Sequence, residues 1–567
     1  MLCRLVLLCI GWLPLASVFA QDALQTPLTI SFANEPVAQA LTRLSAQAPV
    51  QLSFNPDVLP KKSISGQYEH QSLEHILRDL LGTQYQYKVR GSYVIILAAA
   101  PAQPKKRVQF TGEVRDAATG ETLANTTVYE VDRLSATLSS EDGSFNLSAS
   151  TARDVTVLAI SKANYQDTLI QVDLSQPTFV EVALQPTPEA PAQTTSPTDR
   201  WGLVRFLVGE KVSATTENVS LSGKRGVQLS LIPGLSTNKL FNSKISNTFS
   251  LNMVGGYAYR LNGVELGGAF NLERMGVTGV QIGGAFNLSG AQTQGIQVAG
   301  AANVSVGPVE GVQIGGAYNQ SDDVHGLQIG GAANLAKELD GIQVGGAVNV
   351  AHSGRGLQLA GAYNLARDSL RGAQVGTINY TPVLRGFQLG VINVADTVQT
   401  GAMLGLINWT KNGLLDLALE ANDVTEIALT FRSGTPLLYT LLSAGISPRH
   451  ALWTYGYGLG HQFRWSNRFY THLELSSHTL FATSGPPIRQ QPWDSRLFTS
   501  LAYQFAPRVS LHGGPVFHFL YHKSSTPEDF RLSDQVGTSP VFDTSSDGVV
   551  RKWWIGYQFA LQFRLRR

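Results

Sequence analysis

The sequence predicts a mainly β protein: a large transmembrane antiparallel β-barrel of about 20 strands, preceded by a small α/β module and a small β-sandwich. Three observations carry that expectation. A glycine-rich motif recurs ten times between residues 263 and 410. Beyond 410 the segments alternate large apolar with small or polar side chains. After residue 20 no run of 18 apolar residues occurs, so no membrane-spanning helix is expected.

Composition narrows the field further. Charged residues make up 15% of the 567, against about 25% in ordinary soluble domains. Lys and Arg number 43 and Asp and Glu 41, a net charge of +2, which argues against nucleic acid as a partner. At the front, Arg4, the apolar stretch Leu5 to Leu15 and the small residues flanking Phe19 read as a signal peptide over 1–20, cut before Gln21. Both cysteines, Cys3 and Cys9, fall inside it, so the mature chain carries no thiol chemistry. An exported chain without a spanning helix is periplasmic, secreted, or a barrel in an outer membrane.

Residues 21–97 form the α/β module. Leu28, Ile30 and Phe32 read as a strand, and Asn34 as the cap of a helix that Pro36 opens. Val37, Ala40, Leu41 and Leu44 give that helix one apolar stripe. Ser72 caps a second helix carrying Leu73, Ile76, Leu77, Leu80 and Leu81, and Gly82 ends it. Tyr85 to Val89 and Tyr93 to Leu97 close a hairpin around Arg90-Gly91. A linker over 98–107 follows. The sandwich at 108–185 starts from Val108-Gln109-Phe110, turns at Asp116–Gly120 and at Glu141-Asp142-Gly143, and continues through Phe145 and Leu147. Residues 186–225, rich in Pro, Thr and Ala at their start, are a linker and barrel entry.

Two resemblances attach to these modules. "LTISFANEPVAQALTRLSAQAPVQLSFNPDVL" with "HQSLEHILRDLLGTQYQYKVRGSYVIIL" resembles the short N-terminal domain of secretins and TonB-dependent transducers. That resemblance implies a periplasmic protein-binding module meeting an anti-sigma regulator through residues 21–97. "TGEVRDAATGETLANTTVYE" with "SSEDGSFNLS" resembles the carboxypeptidase regulatory-like domain of Bacteroidota outer-membrane proteins, a non-catalytic sandwich. Arg133–Leu138 departs from that family's usual Gly-Thr turn.

Residues 226–567 are assigned to the barrel. Between 251 and 410 lie 31 of the 55 glycines. The repeats begin at Gly263, Gly279, Gly295, Gly311, Gly326, Gly341, Gly356, Gly372, Gly386 and Gly401, 14 to 16 residues apart. In the second copy Val280, Ile282, Gly284, Phe286 and Leu288 share one face, and Gln281, Gly283, Ala285 and Asn287 the other. Two architectures fit: one strand per copy in a barrel, with lipid on the apolar face, or one coil per copy in a β-solenoid, with stacked asparagines. The repeats alone do not decide between them.

The tail tips the expectation to a barrel. Trp453, Tyr455, Tyr457, Leu459, His461 and Phe463 alternate with small or polar neighbours. The final strand sets Trp553, Ile555, Tyr557, Phe559, Leu561, Phe563 and Leu565 on one side, and it resembles the assembly signal of outer-membrane barrels. Strands near 226–234 and 247–259, ten repeats and eight tail strands total about twenty, an even number. Under that count the long connections 235–246, 477–496 and 522–552 all fall at external positions and the short ones at 260–262, 464–468 and 506–508 at periplasmic positions. The array GxQxGGxxN also resembles a surface-repeat family of Bacteroidota outer-membrane proteins, for which no activity is established.

No G-x-S-x-G, H-E-x-x-H or Walker A motif is present, so no catalytic, cofactor-binding or metal residues, no cofactor and no enzymatic activity are assigned. His512, His518 and His522 share one strand face and read as neutral lumen-facing groups rather than metal ligands. Asp416, Glu420, Glu426 and Arg432 read as a charge network inside the barrel. Residues 201–225 are too few for the plug of an energised importer.

The sequence therefore points to a non-enzymatic outer-membrane barrel whose front module signals to a regulator. Its partners are outer-membrane lipid, the anti-sigma regulator and, through the C-terminal strand, the barrel-assembly machinery. Its site is the cell outer membrane, with the N-terminal domains in the periplasm. The alternative is a passive pore or a surface structural repeat protein.

Overall fold

The computed structural model describes residues 22–90, 93–98, 106–151, 155–174, 179–187, 195–220, 222–484, 489–524, 530–537, 540–546 and 548–565. The signal peptide assigned to 1–20, with Cys3 and Cys9, lies outside them, as do Gly91, Arg566, Arg567 and parts of both linkers. The chain divides into two compact units, Met1–Gly276 and Val277–Arg567.

The first unit begins with two helices on small sheets. Helix α1 (Val37–Gln47) buries Val37, Ala40, Leu41 and Leu44, and α2 (Leu73–Leu81) buries Leu73, Ile76, Leu77, Leu80 and Leu81. Those stripes meet Ile30, Phe32, Val94 and Ile96 in one core. Ser72 caps α2 by accepting from the His75 amide. Asn34 does not cap α1; it sits at φ +52 inside the strand Pro27–Pro36 and donates its amide to Ser65. The strand Ser63–Ser72, which pairs with Pro27–Pro36, carries too few apolar residues to show in the sequence.

A sandwich follows, with sheets of four and three strands over a core of Phe110, Val114, Val128, Phe145, Leu158 and Leu184. Tyr129, Val131 and Val157 on its flank pack with Ile95 and Leu97 of the first module and with Phe241 and Ile245 further on. Helices α3 (Gly202–Val208) and α4 (Glu210–Asn218) lead into the strand Gly223–Ile232.

The repeat region corrects the central expectation. It is a β-solenoid, not part of a barrel. In the first unit Gly223–Ile232 pairs in parallel with Ile245–Asn252, which pairs in parallel with Arg260–Gly267. In the second unit Val277–Gly283, Thr293–Ala299 and Val309–Gly315 stack in parallel register, and so do Phe286–Ser289, Ala302–Ser305 and Tyr318–Gln320. Each copy is thus one coil of two short strands with a corner between them. A transmembrane barrel has each strand antiparallel to the next; here the connecting residues carry the chain around the coil so that like pairs with like.

Two glycine columns enforce that stacking. Gly311 has φ +140, and a Cβ there would lie 2.0 Å from the Gly295 carbonyl oxygen. At the corner, a Cβ on Gly316 would lie 1.9 Å from the Gly300 oxygen. Coils can close to hydrogen-bonding distance only where no side chain intervenes.

The tail does close on itself, as a ring of eight strands. Leu414–Asn422, Ile427–Gly434, Tyr439–Ser447, Leu452–Arg464, Phe469–Ala482, Trp493–Ala506, Val509–Lys523 and Val549–Arg564 pair antiparallel in that order, and the last returns to the first. Outside, Trp453, Tyr455, Phe463, Phe469, Leu475, Trp493, Ile555 and Phe559 are exposed. Inside, Asp416, Arg432, His472, Glu474, Asp494 and His518 are buried. Helix α5 (Arg531–Gln535) packs Leu532 with Val424, Leu452, Leu480, Leu520 and Trp554.

The barrel of about twenty strands is therefore replaced by a solenoid and a barrel of eight. With it falls the basis for calling the repeats transmembrane strands, for assigning outer-membrane lipid and the assembly machinery as partners, and for the outer-membrane and periplasmic placement. Among the described residues no helix is long and apolar enough to cross a membrane, a fact that says nothing about β-barrels.

Candidate functional site

The side chains with chemistry to offer are buried in two interiors. The solenoid interior holds two amide columns. Gln281, Gln297, Gln313, Gln328, Gln343, Gln358, Gln374 and Gln388 are fully buried, as is every repeat asparagine from Asn271 to Asn408. From Gln297 onward each glutamine Nε2 donates to the Oε1 of the preceding coil, at 2.7–3.0 Å. From Asn287 onward each asparagine Nδ2 donates the opposite way, to the Oδ1 of the next coil, at 2.8–3.0 Å. The second amide proton of each asparagine meets a backbone carbonyl of the following coil, as Asn319 does at Ile329. A buried primary amide is tolerated only when so satisfied.

The glutamine column ends where the sequence changes. Glu265 takes the glutamine position in the first copy and accepts from Asn252 at 2.8 Å. Met403 takes it in the last copy, where Ala366, Leu370, Leu384, Ala395 and Val398 make the interior apolar. Among the described residues Gln388 Oε1 is consequently left without a donor. The asparagine column runs on into the barrel wall, with Asn408 Nδ2 donating to Thr440 Oγ1 at 2.8 Å.

The barrel interior is built from charges instead. Arg432 donates to Glu420 at 2.6 Å and to both oxygens of Glu474 at 2.6 and 2.9 Å. Tyr439 also donates to Glu474, at 2.7 Å. Burial alone would raise the Glu474 pKa, but Arg432 and His472 overrule it and hold the carboxyl well below its ordinary value. Asp416 accepts from Gln562 at 2.6 Å and pairs with Arg564. A second cluster sets His518 between Asp494, 3.0 Å from its Nδ1, and Asp423, 3.2 Å from its Nε2, with the ring stacked on Trp554. Burial opposes charge on His518, yet the two carboxylates raise its pKa. The same cluster, with Arg496 at 2.6 Å, lowers that of Asp494 against its burial.

The histidines named from sequence all face inward, but they do not converge. His512 lies 3.2 Å from Tyr470 and 3.0 Å from Ser510; His522 lies 3.0 Å from Ser533 and 2.8 Å from the Gln490 carbonyl. Among the described residues no group of three or more His, Cys, Asp or Glu could hold a metal ion. Asp416, Glu420 and Arg432 are inside, whereas Glu426 is exposed and accepts from the Arg449 amide. Sequence reasoning passed over Asp423, Glu474, Asp494 and Arg496. Their signal was the alternation of the tail applied to polar residues, with His472, Glu474, Ser476 and His478 sharing one face.

The first unit has a cavity of about 240 Å³ beside α3 and α4, lined by Asp199, Val204, Val208, Thr216, Tyr257 and Arg274 among others. Arg274 is clamped on Asp199, with contacts of 2.7–3.1 Å. Nearby, burial pushes the pKa of Lys244 down to about 7, with Arg274 adding to the shift and Asp199 and Asp167 opposing it.

No family model, curated protein or solved structure matches the chain. The likenesses to the secretin and TonB-transducer module, the regulatory-like sandwich and the surface-repeat family are therefore not supported by any match. For the repeats the solenoid overturns the assignment outright. The reading as an outer-membrane barrel signalling through an anti-sigma regulator loses its architecture as well as its family.

Proposed function

We propose that the chain is a non-enzymatic structural repeat protein in which the solenoid holds its two ends at a fixed separation. The observation that carries this reading is the pair of continuous amide columns, each coil tied to the next by side-chain and backbone hydrogen bonds alike. Each coil adds about 4.8 Å, the spacing of paired strands, and nearest-neighbour stacking makes length a count of coils. The buried acids and bases of the barrel support the same reading, because they are engaged with one another rather than aimed at an open cleft.

The test is metric. With Cys3 and Cys9 replaced by serine, nitroxides at Thr278→Cys and Thr400→Cys report their separation by double electron–electron resonance. Deleting residues 311–325, one full coil, should shorten the distance by about 4.8 Å and leave its distribution narrow. An unchanged distance, or a broad one in the parent chain, would rule out a rigid spacer.

A further inference from the structure

On the outer face of the solenoid, the position just before each repeat glycine forms a column. Parallel register stacks Glu310, His325, Asp340, Arg355, Arg371 and Arg385 one above another, followed by Thr400. The acidic and mixed half satisfies itself, since His325 and Arg355 lie 4.0 and 3.9 Å from Asp340. The other half does not. Arg371 sits directly between Arg355 and Arg385, and like charges placed opposite each other in a sheet repel. All three arginines are exposed, and among the described residues no carboxylate lies within ion-pair distance of Arg371 or Arg385. Arg385 donates instead to neutral Gln399. Two outward columns run beside the arginines: Leu357, Ala373 and Phe387, then Leu359, Val375 and Leu389.

We propose that this arginine column binds an acidic polysaccharide laid along the stacking direction, with one charged sugar to each coil. A row of exposed arginines stacked in register selects an extended ligand over a small one. Its guanidiniums recur about every 4.8 Å, a repeat close to the length of one sugar unit, and each offers a planar fork for a carboxylate or sulfate. The adjoining aliphatic columns and Phe387 meet the C–H faces of the rings, which neither a bare phosphate chain nor a small anion would use. Bound anions also relieve the repulsion that the fold leaves unpaired.

The experiment titrates the full chain with polygalacturonate by calorimetry, with uncharged dextran as the control. Polygalacturonate should bind and dextran should not, and added salt should weaken binding by screening exposed charges. Arg371→Gln with Arg385→Gln should weaken binding at least about tenfold, losing two charge-assisted contacts. Arg385→Glu, which gives Arg371 an acidic neighbour and so protects the fold, should weaken it at least as much. Arg508→Gln, an exposed arginine on the barrel, should change nothing. Absent binding, dextran binding equally well, or unchanged affinity in Arg385→Glu would each overturn the proposal. So would equal affinity for oligothymidylate of matched charge, since the column would then read charge alone.

Discussion

The solenoid and the eight-stranded barrel both bury many polar side chains, yet they satisfy them by opposite means. In the solenoid one neutral side chain recurs and bonds to its own kind, Gln328 to Gln313 and Asn319 to Asn334. In the barrel unlike charges find each other across strands, Arg432 with Glu474 and Asp494 with His518. The difference teaches that a buried periodic column of polar groups tolerates only groups that both donate and accept. An amide does both, so a column of amides satisfies itself. A carboxylate only accepts and a guanidinium only donates, so charges require an aperiodic arrangement in which each neighbour is chosen individually.

The contrast can be broken most severely at Arg432. Arg432→Ala leaves Glu420 and Glu474 buried without their shared cation, and should cost about 3–5 kcal/mol. Urea unfolding followed by tryptophan emission reads this directly, since Trp453, Trp465, Trp493, Trp553 and Trp554 all lie in the barrel. A loss under about 1 kcal/mol would mean that the network contributes nothing beyond packing.

In the solenoid the comparable blow is steric. Gly311→Ala places a methyl against the Gly295 carbonyl at a φ that side chains resist. Strain of about 1–3 kcal/mol is expected, seen as faster hydrogen exchange in residues 293–330 while the barrel tryptophans keep their emission. If that emission also collapses, the two regions do not unfold separately.

Acid sharpens the comparison more gently. Asp494 and Glu474 have folded pKa values below their unfolded ones, near 3.9 and 4.3. Their contribution is fully present above about pH 5 and drains away as pH falls through the depressed folded values. The amide columns carry no titratable group. Between pH 6 and pH 3 barrel protection against hydrogen exchange should therefore fall while that of residues 277–360 stays level; parallel loss in both would refute the distinction.

Several local features were legible beforehand. The stripes of α1 and α2 follow from 3.6-residue periodicity, and Ser72 announces its cap. The eight tail strands lie near the predicted positions because alternation over eight or more residues has few other readings. Spacing groups Glu426 with Asp416 and Arg432, but the residues 423–426 between two strands break the alternation and leave it exposed. Asn34 reads as a cap because Asn favours that role ahead of a helix opened by Pro36, and the pairing of Pro27–Pro36 with Ser63–Ser72 claims it instead.

By itself the sequence determined the period of the repeats, the sides on which Gln281 and Ile282 lie, and the absence of thiols beyond residue 20. Only the tertiary structure decided which strand each strand meets. Side-chain alternation is the same in parallel and antiparallel sheets, so a nine-residue motif with an apolar and a polar face suits a barrel wall and a coil equally. The choice falls to contacts fifteen or sixteen residues apart: Gly311 against Gly295 and Asn319 against Asn334, where a missing Cβ and a matched amide make stacking on the next copy better than turning back.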